Sequence, residues 1–120
     1  MIDIVFVTHV FSEFSALVGQ LELNPEVSID WAKSSDEALR LASASTPALM
    51  IIDARLDAKS GLDLARKVIL VNAGINLAVV SELPADEFHN ASEGLGILAQ
   101  LPTNPGRSEA ERLLSLIESL

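Results

Sequence analysis

The sequence predicts an α/β fold in which five short strands alternate with five helices, a (βα)5 chain whose parallel sheet is covered on both faces. Three observations predict it. Apolar runs too short for helices recur at Ile2–Val7, Ala48–Asp53, Leu77–Ser81 and Ile97–Leu101, with a weaker alternating run at Val27–Trp31. The segments between them carry apolar residues at helical spacing. No repeat, low-complexity tract or internal linker interrupts the alternation, so residues 1–120 read as one domain.

The elements follow in order. Ile2–Val7 is β-branched and reads as a buried strand. Phe11, Phe14, Leu17, Val18 and Leu21 share one helical face, and Asn24 and Pro25 end that helix. Val27–Trp31 is a peripheral strand. Ser34 and Glu37 have the spacing of a capping box, and the helix behind them aligns Ala38, Leu41 and Ala42 before Thr46 and Pro47 stop it. Ala48–Asp53 is apolar until it ends in a carboxylate. A polar loop, Ala54–Gly61, leads to a helix over Leu62–Val71, then a turn around Gly74. Leu77–Ser81 ends in a hydroxyl. Pro84 suits the first turn of a helix that faces Phe88, Ala91 and Leu95 inward. Ile97–Leu101 lies between Gly96 and Pro102. Ser108 is the expected cap of the last helix, which buries Ala110, Leu113, Leu114 and Ile117.

Composition excludes several functions. Hydrophobic residues make up 49% and charged residues 21%, which suits a packed core rather than disorder. A net charge of -9 opposes direct binding to nucleic-acid phosphates and to anionic membrane surfaces. The absence of cysteine excludes disulfides, thiolate metal sites and cysteine catalysis. The start MIDIVFV lacks a basic n-region, and no apolar run nears the ~20 residues of a membrane span, so a cytoplasmic protein is expected.

In open parallel sheets, chemistry gathers at the carboxyl ends of the strands. That singles out Thr8 and His9, Asp53, Ser81, and Thr103 with Asn104. Asp53 is either a nucleophilic carboxylate or a strand-end acid. Ser81 is a switch hydroxyl or bonds nearby backbone. His9 is a metal ligand, a pH switch or a plain loop residue. Arg55 and Lys59 are near enough in sequence to pair with Asp53. Trp31 is expected to pack half-buried at the end of its strand. THVFSE offers no glycine-rich phosphate loop after the first strand.

The segment ALMIIDARLDAKSGLDLARKV, with Asp53, Leu56 and Gly61 at matching spacing, resembles the receiver domains of response regulators in two-component signalling. Ser81 after LAVVS, Gly96 before the fifth strand, and SSDEAL extend the likeness over Ile2 to Leu120. The resemblance implies a flavodoxin-like sheet of order 2-1-3-4-5 and a phosphoacceptor at Asp53, fed by a histidine kinase or phosphotransfer protein. It also implies Mg²⁺, held by Asp53, an acidic pair and the Arg55 main-chain carbonyl. A lysine after the fifth strand would offset phosphate charge.

The sequence departs from that pattern. Thr8 and His9 stand at the acidic pair. Thr103, or Asn104 with a one-residue shift, stands at the lysine. Gln100 stands at the aromatic switch position, and Asp57 at a usual proline. Mg²⁺ binding is therefore expected to be weakened. The expected function is a degenerate receiver, not an enzyme, acting by phosphorylation-independent contact with a kinase, a phosphotransfer protein or an output domain. Its fourth helix, fifth strand and fifth helix, within 84–119, offer a face for a partner or a second copy. Taken as complete at Leu120, the chain is expected to act by contact alone; as part of a longer protein, a neighbouring domain would carry DNA binding or enzymatic output. The alternatives are a genuine receiver phosphorylated on Asp53, and a small-ligand binder with a pocket at Thr8, Asp53 and Ser81.

Overall fold

The computed structural model describes residues 1–120. Strand β1 spans Ile2–Val7, and a 3₁₀ turn at Phe11–Phe14 leads into α1 at Ser15–Leu21. Next come β2 (Val27–Ala32), α2 (Ser35–Ala44) and β3 (Leu49–Ile52). A two-residue β-ribbon, Arg55–Leu56 against Lys59–Ser60, precedes α3 (Gly61–Val71). The chain continues through β4 (Asn76–Val80), α4 (Ala85–Ala91), β5 (Ala99–Leu101) and α5 (Arg107–Glu118).

The five main strands form one parallel sheet in the order β2-β1-β3-β4-β5. Successive strand residues point to opposite faces, so each strand feeds two cores. Val5, Val7, Met50, Ile52, Leu77 and Val79 meet α2, α3 and Phe88 of α4 on one face. Ile4, Phe6, Leu49, Ile51, Ala78 and Val80 meet α1 and α5 on the other. Burial on both faces explains why β1 and β3 read as continuous apolar runs rather than as alternation.

Four local expectations need correction. The helix after β1 does not start at Phe11: one 3₁₀ turn intervenes, and the Phe11 ring lies 4.7 Å from Trp31 rather than in the core. The segment 54–61 is a tight ribbon rather than an irregular loop, because Leu56 is buried against the α2–α3 side. Leu95 packs on the core from outside α4. Gly94 and Gly96, at φ 83° and 66°, then turn the chain sharply, and this delays β5 from Ile97 to Ala99. Finally, Gly106 rather than Ser108 caps α5. The Gly106 amide donates to Glu109 Oε1 at 2.7 Å, while Ser108 sits inside the first turn and donates to Glu109 Oε2. No helix is long and apolar enough to cross a membrane.

Candidate functional site at the carboxyl edge of the sheet

Asp53 follows β3 directly and its amide donates to the Val7 carbonyl, which fixes it beside the end of β1. It is one of two buried polar residues, 8% exposed, and the other is Thr8, which is fully buried. The two meet. Thr8 Oγ1 donates to Asp53 Oδ2 at 2.7 Å, and the same hydroxyl oxygen accepts from the Val10 amide at 2.9 Å. Asp53 Oδ1 accepts from the Ala54 amide at 2.7 Å. Each carboxylate oxygen therefore has a protein donor, and Thr8 lies beneath the surface rather than in a pocket.

Gly61 makes room for this arrangement. A β-carbon at that position would overlap the Asp53 carbonyl oxygen and press on Ile52 Cγ2 and Val79 Cγ1. The Gly61 amide donates to the Ala54 carbonyl at 2.9 Å, and Ser60 caps α3 by accepting from the Asp63 amide. The glycine is needed for close approach behind Asp53, not for an unusual backbone angle.

Above Asp53 lies an open cleft of about 710 Å³, lined among others by Glu13, Arg55, Ser81, Glu82, Leu83 and Thr103. The structure thus brings Asp53, Ser81 and Thr103 to one cleft. It leaves His9 and Asn104 out of the lining. Ser81 Oγ accepts from the Leu83 amide at 3.2 Å, the local backbone contact of the plainer reading. Neither Arg55 nor Lys59 forms an ion pair with Asp53.

His9 turns aside. Its Nε2 lies 3.0 Å from Asp57 Oδ1, and Asp57 Oδ2 accepts from the Ser35 amide at 2.9 Å. Asp57 is therefore turned away from the cleft and is not part of its lining. The Ser35 amide, helped by His9, holds the Asp57 carboxyl below its ordinary pKa. A depressed carboxylate pKa adds stability above its unfolded value, and that stability is lost as pH falls through the folded value. Asp57→Asn is accordingly expected to lose some stability at neutral pH and to converge with the wild type as pH falls below about 4, so that its acid limb is flatter. Urea melts from acid to neutral pH would check this; parallel profiles for the two proteins would refute it.

Sequence reasoning missed three features here. Glu13 and Glu82 flank the cleft, so its wall carries more carboxylate than cation. Gln100 Nε2 donates to the carbonyls of Ser81 and Leu83, at 3.2 and 2.8 Å, and ties the loop after β4 to β5. The Asp57 contacts join three loops. The one available signal was residue type, since Asp is among the residues that tolerate the left-handed turn conformation seen at Asp57.

Mg²⁺ prefers several oxygen ligands, usually including one or two carboxylates. Here Thr8 presents its hydroxyl to Asp53, His9 is engaged by Asp57, and no three acidic, His or Cys side chains converge. The residues at this edge do not fit a Mg²⁺ site.

No family model and no curated protein matches the sequence. Solved structures do match the fold. A two-component response regulator from Legionella pneumophila is 18% identical over 100% of both chains, with a TM-score of 0.81. The receiver domain of the Francisella response regulator 1452 is 17% identical over 99% of this chain and 98% of its own, with a TM-score of 0.83. A Burkholderia pseudomallei response regulator, solved with a phosphorylated aspartic acid, a calcium ion and citrate, is 19% identical over 98% of this chain and 66% of its own, with a TM-score of 0.76. The fold of this chain is that of a response regulator receiver domain, the flavodoxin-like arrangement with sheet order 2-1-3-4-5.

Proposed function

We propose that residues 1–120 form a degenerate receiver module of a two-component or phosphorelay system that works in the cytoplasm by binding a protein partner, without phosphorylation and without enzymatic activity. The observation that carries this reading is the state of Asp53. Both its oxygens accept protein hydrogen bonds, one from a buried threonine standing where an acidic ligand is expected. An incoming phosphoryl group is anionic and needs compensating charge. The cleft wall offers Arg55 against Glu13, Glu82 and Asp53 itself, and Thr103 supplies no cation. The partner is a histidine kinase, a phosphotransfer protein or an output domain, and α4, β5 and α5 within 84–119 supply its face or that of a second copy.

A second reading keeps Asp53 as a genuine phosphoacceptor. It is favoured by the cleft above the carboxylate, where Ser81 and Thr103 share the wall. The two readings separate in one experiment. The protein is incubated with Mg²⁺ and a small-molecule phosphodonor, and its intact mass is compared with that of Asp53→Ala. An unchanged mass is expected for both proteins. An adduct that requires both Mg²⁺ and Asp53 would replace the first reading with the second. A coloured purified protein would instead point to a bound small ligand in this cleft.

A further inference from the structure

Two consecutive non-glycine residues at positive φ form the tip of the ribbon before α3. Asp57 and Ala58 lie consecutively at φ 52° and 64°, where side chains other than Asn and Asp are seldom found. The turn is not idle. It aims the Asp57 carboxylate away from the cleft and across the ends of two neighbouring strands. One oxygen meets His9, in the loop after β1; the other takes the Ser35 amide, in the first turn of α2 after β2. Two other donors at that helix start are placed locally. Ser34 Oγ accepts from the Glu37 amide, and Glu37 Oε2 accepts from the Lys33 amide. Only the Ser35 amide reaches outside its own segment, and Asp57 meets it.

We infer that Asp57 is a clasp: its carboxylate joins the loops after β1, β2 and β3 through His9 and the Ser35 amide, so that protein groups alone hold this edge closed, with no cation. The other flank is closed in a similar way, because Gln100 bridges the Ser81 and Leu83 carbonyls and the Leu83 amide returns to Ser81 Oγ. The inference deepens the proposal of a phosphorylation-independent module and rests on it only for its purpose, namely a docking edge kept in one shape. The clasp itself rests on three contacting groups and a strained turn.

Amide hydrogen exchange followed by NMR tests it on the full chain. In Asp57→Ala, exchange at Ser35 should rise about fivefold or more, and resonances of residues 9–13 and 55–60 should broaden. Amides within β1 and β3 should keep their protection, which shows that the variant is folded. In Asp57→Asn the side-chain oxygen still accepts, so most of the Ser35 protection should remain. The wild-type spectrum should be the same in EDTA and in millimolar Mg²⁺. Unchanged Ser35 exchange in Asp57→Ala would overturn the clasp. Loop signals in the wild type that gain protection only with Mg²⁺ would overturn it as well. A phosphate adduct on Asp53 alongside the expected exchange pattern would remove the degenerate reading and leave the clasp standing, so the two failures are distinct.

Discussion

Gly61→Ala is expected to lower stability by about 2–3 kcal/mol, the range for forcing a group into a packed interior. The added methyl would overlap the Asp53 carbonyl oxygen. Two further neighbours, Ile52 Cγ2 and Val79 Cγ1, come from rigid β-branched side chains in the central strands. Neither the strand nor the start of α3 can shift alone, because the Gly61 amide is bonded to the Ala54 carbonyl. Relief must come from moving Asp53 and the ribbon after it. Urea denaturation at neutral pH measures the loss, and chemical shifts of Ala54 and Thr8 report the displacement. A loss below about 0.5 kcal/mol, with shifts unchanged, would mean that the close approach is not what requires glycine.

Thr8→Val ranks second, with an expected loss of about 1–3 kcal/mol. Valine nearly matches threonine in volume, so the change removes hydrogen bonds without opening a cavity. Two partners are stranded: the Asp53 Oδ2 atom and the Val10 amide. The carboxylate is the costlier of the two because it is only 8% exposed. Asp53→Ala tests the same contact from its other end, since it leaves the fully buried Thr8 hydroxyl without an acceptor. If the pair is coupled, the double variant should be less damaged than the sum of the two single changes, by about 1 kcal/mol. Simple additivity would show that the 2.7 Å contact contributes nothing particular.

The sheet was legible in the sequence wherever burial was complete. Ile4 to Val7 and Leu49 to Ile52 are apolar at every position because both faces are covered, and such runs bounded by turn residues have few other interpretations. Helix starts were legible when a side chain advertised them. Ser34 with Glu37 forms the expected cap of α2. The start of α5 was misplaced because its true cap is Gly106, which has no side chain to reveal the role. Phe11 misled for a related reason: its spacing fits the α1 face, yet the 3₁₀ turn rotates it toward Trp31.

The edge that carries Asp53 was legible as a set of strand ends but not as a set of contacts. Parallel-sheet geometry alone gathers Thr8, Asp53, Ser81 and Thr103. Whether His9 faces inward depends on a partner 48 residues away, Asp57, and on the backbone of a short ribbon. Gln100 could be seen at an unusual position, but not that its amide would span two carbonyls of the adjacent loop. Long-range pairings between loops are set by backbone detail that residue spacing does not encode.

The aromatic stack at the β1–β2 side has an optical consequence. Trp31 is the only tryptophan, there is no tyrosine, and its ring lies 5.0 Å from Phe6 and 4.7 Å from Phe11. Phe11 is 42% exposed and has Lys33 Nζ 5.7 Å from its ring centre. Intrinsic emission therefore comes from a single chromophore, roofed by a residue that a partner can touch. A protein docking over the turn after β1 would displace Phe11 and alter the colour or quenching of that emission. One docking on α4, β5 and α5, beyond the opposite edge of the sheet, would leave it unchanged, so a titration without any dye would report the side of approach.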